Sequence, residues 1–178
     1  MMPISKPWKM MNLDEKYFYA SFRYNKNSPE DFGLSPLPDT GLFVDSQGCQ
    51  WKQEPMWDEG WGDEYGFVRQ PAADAKGLWK LLIESPHYEN QRGGAEFLAR
   101  LYPEELKAQL TSLFQREKKK LGRDLSKRLA KIESLKTGTN GSDVLGKSIA
   151  EINKDHEDWK LLKQEFEKRR SKSLFRWR

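Results

Sequence analysis

The sequence predicts an α+β fold, predominantly helical: a small antiparallel sheet with short helices, followed by a long antiparallel helical hairpin. Three observations lead there. Short aromatic-rich segments alternate in the first 70 residues, apolar residues recur at helical spacing after Pro71, and the charge is divided between the two parts. Residues 1–102 carry 11 Lys+Arg against 15 Asp+Glu, and residues 103–178 carry 20 against 12. The two parts, 1–102 and 103–178, are read as one integrated domain, because the helical part lacks the apolar area to stand alone.

The strand expectations come first. Phe18, Ala20 and Phe22 alternate with Tyr19, Ser21 and Arg23, the two-residue period of a strand. Asn25 to Pro38 is rich in Asn, Ser, Pro and Gly and reads as a loop. Leu42–Asp45, the turn Ser46-Gln47-Gly48 and Cys49–Trp51 form a candidate hairpin, and Tyr65–Arg69 a fourth strand. Such a sheet needs a cover. The alternative is that this segment is loop wrapped on an all-α body.

Helices supply the cover. Ala75, Leu78, Trp79 and Leu82 mark one from Pro71 to Ser85, and Ala95, Leu98, Ala99 and Tyr102 mark another from Arg92. Pro103-Glu104-Glu105 is a strong helix start, with proline and acids in the first turn. Leu106, Leu110, Leu113, Phe114, Leu121, Leu125, Leu129 and Ile132 then form a stripe, weakened at Glu117-Lys118 and Gly122. Thr137–Gly141 breaks it. Ser142 is the expected cap of a last helix with Leu145, Ile149, Ile152, His156, Trp159, Leu162 and Phe166 on its seam. Two helices of about 30 residues would make a hairpin roughly 45 Å long.

Composition narrows the function classes. Hydrophobic residues make up 37% and charged ones 33%, with a mean hydropathy of −0.90. The seven Trp, nine Phe and six Tyr compensate for few aliphatics. No apolar run is long enough to span a bilayer, so no membrane association is expected. The single cysteine, Cys49, cannot pair within the chain and points to a reducing, cytoplasmic setting. His87, His156 and Cys49 lack metal-site spacing, so no metal or cofactor is expected, and a Cys49–His87 nucleophile pair is less favoured than a half-buried cysteine.

Two surfaces are candidate sites. The acidic, Trp-rich stretch holds Trp57, Asp58, Glu59, Trp61, Asp63 and Glu64, with no Lys or Arg from Gln53 to Val68. It can dock a basic protein partner with tryptophan anchors. It can also supply a carboxylate pair to a hydrolase acting on carbohydrate or phosphoester. The bland reading makes its tryptophans core. It lacks the spacing of a calcium loop. The second surface is basic: Lys118, Lys119, Lys120, Arg123 and Lys127, with Arg169, Arg170 and Trp177 of the tail. Basic helices track phosphates and an aromatic can stack on bases, while the bland reading is a solvated helix exterior. Gly93-Gly94 resembles a phosphate-cradling turn only weakly, without G-x-G-x-x-G or a Walker lysine. The ranking is a non-enzymatic cytosolic interaction or regulatory protein first, a nucleic-acid-binding protein second and a hydrolase third. Self-association through the hairpin is a further expectation.

Overall fold

The structure is a computed structural model that describes residues 11–20, 28–56, 65–141 and 146–170. It is α+β, as the sequence predicts. Five strands form one antiparallel sheet: β1 (Phe18–Ala20), β2 (Ser35–Leu37), β3 (Leu42–Val44), β4 (Gln50–Pro55) and β5 (Tyr65–Gln70), in the order β1-β5-β4-β3-β2. Six α-helices follow: α1 (Ala75–Ile83), α2 (Tyr88–Leu101), α3 (Pro103–Arg116), α4 (Arg123–Leu129), α5 (Glu133–Thr137) and α6 (Ile149–Arg169).

The expected hairpin is β3–β4, with Val44 opposite Gln50. Asp45 organises its turn. Its carboxylate accepts from the backbone N–H groups of Gln47 and Cys49, both at 2.9 Å, and from Trp51 Nε1 at 3.0 Å. β2 is an addition, falling in the expected loop. Its Pro36 is tolerated because β2 is an edge strand that pairs only with β3. Asp39 and Gly41, both with positive φ, turn the chain back between them.

The sheet buries both faces. Phe18 and Val68 point toward the helices, and their neighbours Tyr19 and Phe67 point the other way, as the pleat requires. The outer face closes over Leu34, Trp51 and Phe67 with Tyr19, Phe32 and Phe43 packed against them. The inner core runs continuously from Phe18 and Met56 through α1 and α2 to Trp159 and Phe166 of α6.

Asp74 caps α1, accepting from the Gly77 N–H at 2.7 Å. α2 begins at Tyr88, one turn before the expected Arg92, so Gly93-Gly94 lies inside the helix and not at its start. A Cβ on Gly93 would lie 2.4 Å from the Phe18 ring, and one on Gly94 would lie 2.7 Å from the Leu78 carbonyl oxygen. The pair therefore serves packing: the first glycine admits β1, the second α1.

The expected single helix over 103–136 is three. The charged run Glu117–Lys120 interrupts the stripe, Gly122 restarts it as the N-cap of α4, and Ile132 leads into the short α5. Lys107 meets Asp155, and Phe114 and Glu117 meet Arg169, so α3 and α6 point the same way. The chain runs out along α3, back through α4 and α5, and out again along α6. The seam of α6 holds at Trp159, Leu162 and Phe166 but differs in its first half. His156 is exposed and Ile149 is 79% exposed, while Asp155, Trp159, Leu162 and Phe166 are buried at spacings of four, three and four. Among the described residues no helix is long and apolar enough to cross a membrane.

Candidate nucleic-acid interface

The basic residues of the sequence sort into structural and exposed groups. Lys107 is buried. It donates to Asp155 at 2.5 Å and pairs with Glu104 at 2.7 Å, while Lys147 bonds the other oxygen of Asp155 at 2.5 Å. Burial pushes the Asp155 carboxyl up, but the hydrogen bonds from Lys107 and Lys147 outweigh it and hold its pKa below the usual range. This charge is spent on joining α3, the approach to α6, and α6 itself.

Arg169 is likewise committed to the fold. Its Nε donates to the Glu117 carbonyl at 2.9 Å and its Nη1 to the Glu165 carbonyl at 3.2 Å, and it pairs with the Glu165 carboxylate. Its guanidinium lies 5.7 Å from the centre of the Phe114 ring. The Leu121 N–H then donates to the Arg169 carbonyl at 2.9 Å. The bonds to Glu117 and Leu121 and the stacking on Phe114 pin the end of α6 to the joint between α3 and α4.

That joint carries Lys118, Lys119 and Lys120, all exposed. Arg123 and Lys127 are exposed one turn apart on α4, whose Ser126 and Leu129 face inward. Arg170, exposed, follows Arg169. Two basic clusters about fifty positions apart in sequence thus meet at one end of the molecule. Among the described residues, none of these six has an acidic side chain within ion-pairing distance. Trp177 of the tail lies outside the described residues, as do Trp57, Asp58, Glu59, Trp61, Asp63 and Glu64 of the acidic stretch.

The basic surface continues along α4 toward α2. Arg128 is half-buried: its Nη1 donates to the carbonyls of Ser85 at 2.7 Å and Leu82 at 3.3 Å, and its Nε to Asp124 at 2.6 Å. Lys131 sits 4.6 Å from the centre of the Tyr88 ring. Burial lowers the pKa of Lys131, and Arg128, Lys127 and Arg92 lower it further against the opposing pull of Asp124. No spacing signals the meeting of Tyr88 and Lys131, because the start of α2 and the turn after α4 come together only through the tertiary fold.

The acidic stretch joins the paired ends of β4 and β5, where Pro55 faces Tyr65. Arg100, near the end of α2, donates to the Pro55 carbonyl at 2.9 Å. That anchor is about 18 Å along α2 from Tyr88.

The histidine and the cysteine have separate partners. His87 Nε2 lies 2.7 Å from the Asp14 carbonyl oxygen and so carries the proton, while Arg69 Nη2 donates to Cys49 Sγ at 3.0 Å. Among the described residues no group of three or more His, Cys, Asp or Glu side chains is placed to hold a metal. Comparison of the chain with protein families, curated proteins and solved structures found no match.

Proposed function

We propose that this is a non-enzymatic interaction protein that binds nucleic acid through its basic end. One observation carries the reading: the Arg169 bonds bring Lys118, Lys119, Lys120, Arg123, Lys127 and Arg170 together at the surface, without ion-paired acids among the described residues. A polyanion answers that pattern better than a neutral ligand, because each phosphate neutralised releases condensed counterions. The arrangement offers no helix dedicated to a groove, so the recognition is of backbone charge and not of sequence.

The test is equilibrium binding of the full chain to a single-stranded and a duplex oligonucleotide across a salt series. Affinity is expected to fall linearly on logarithmic axes. Replacing Lys118, Lys119 and Lys120 by Gln should reduce the slope by about 2–3, close to one for each phosphate that is no longer neutralised. Absence of binding at low salt, or an unchanged slope in the triple variant, overturns the reading.

A further inference from the structure

We propose that Tyr88 is a base-stacking platform at the far end of the basic surface, and that the preferred ligand is single-stranded nucleic acid. The inference rests on the nucleic-acid reading above and adds the form of the ligand.

Tyr88 opens α2 yet keeps 55% of its surface exposed, while Asn90, Gly93 and Gly94 a little further along the helix are buried. Its ring is held by a cation, with Lys131 Nζ 4.6 Å from the centroid. That cation belongs to a line. Arg123 and Lys127 are a helical turn apart on α4, a rise of about 6 Å, and Lys131 lies in the turn just past the end of that helix. Arg128 and Arg92 add positive charge around Lys131, opposed there by Asp124. Moving from Lys118–Lys120 along α4, a strand therefore meets exposed cations and then an exposed aromatic ring.

Chemistry assigns that order to an unpaired strand. Basic side chains track the phosphates and an aromatic face accepts a base of any identity. In a duplex the base faces are already stacked on their neighbours, and a surface tyrosine cannot reach them without unstacking the helix. Lys131 lies over one face of the ring, so the base takes the opposite face, with the ammonium left to meet a phosphate. Arg128, fixed to the Leu82 and Ser85 carbonyls, holds the end of α4 against the α1–α2 joint and so keeps Lys131 in register with Tyr88.

The experiment compares the full chain with Tyr88→Ala and Tyr88→Phe, using a 15-nucleotide oligo-thymidylate and a duplex of equal length. Tyr88→Ala should weaken single-strand binding about tenfold, within the range known for loss of one stacked base. It should leave duplex binding and the salt slope unchanged. Tyr88→Phe should bind like the wild type. Irradiation of a 5-iodouracil-substituted strand should crosslink to Tyr88. An unchanged ratio of single-strand to duplex affinity in Tyr88→Ala, or crosslinking confined to other residues, overturns the stacking proposal and leaves the basic-end reading standing. If the wild type binds neither probe, the basic-end reading itself fails.

Discussion

Replacing Gly94 by alanine tests the packing of α1 on α2 at its tightest point. The new methyl carbon would lie 2.7 Å from the Leu78 carbonyl oxygen and 3.1 Å from the Leu82 nitrogen, where ordinary contact begins at 3.4 Å. The obstacle is backbone, so no side-chain rotation relieves it, and the helices must part by roughly 0.7 Å, loosening the packing on both sides. Overpacking typically costs about 1–3 kcal/mol, and because the obstacle here is backbone this case falls in the upper part, about 2–3 kcal/mol. Alanine recovers about 1 kcal/mol through its helix propensity. The net loss is about 1–2 kcal/mol, equivalent to a fall of roughly 2–8 °C in Tm for a chain of this size. Denaturant unfolding should show a lower midpoint with an unchanged m-value. Gly141→Ala is the control, since among the described residues nothing lies within 4 Å of its Cβ position and its φ is not positive. If Gly94→Ala matches or exceeds the wild type in stability, the close approach of the two helices is not what the glycine provides.

Other predictions concern charge. Because the folded-state pKa of Asp155 is depressed, its contribution is fully present above about pH 4 and lost as pH falls through the folded value. Asp155→Asn should destabilise by about 3 kcal/mol at pH 7, the low end for a broken buried pair because Lys107 keeps Glu104, and the gap from the wild type should narrow toward pH 2 in denaturant melts. Arg128→Lys should cost about 1.5–3 kcal/mol, since an ammonium cannot serve both carbonyls and Asp124; equal thermal stability would contradict this. Asp45→Ala strands the Trp51 indole N–H and two turn amides, and a loss of about 1–3 kcal/mol by chemical denaturation is expected.

The legible parts of the fold were those with a clean period. Leu78 to Leu82 declared α1, and Leu42 to Trp51 declared the hairpin, because local spacing and turn residues agreed with the packing. β2 was hidden because Ser35-Pro36-Leu37 carries no strand pattern and exists only as an edge added to β3. The α6 seam was legible at Trp159, Leu162 and Phe166 but not in its first half, where Asp155 is buried by its two lysines, which spacing alone cannot reveal, while His156 and Ile149 face outward. For the site, exposure of Lys118–Lys120 followed from a charged run at a weak point of the stripe. Their meeting with Arg169 and Arg170 depends on α3 and α6 running the same way, a tertiary fact without a local signature.

The bond from the Leu121 N–H to the Arg169 carbonyl gives the basic end a built-in thermodynamic sensitivity. The last turn of a helix is the first part to fray. Here fraying would also release Glu117 and scatter the cations over a larger volume, lowering the local positive field on which the proposed binding depends. Mutual repulsion among those cations favours the frayed state, and a bound anion favours the closed one. The amide of Leu121 should then exchange with solvent faster at low ionic strength and slower when a ligand is bound, so one backbone proton reports occupancy of a surface it does not touch.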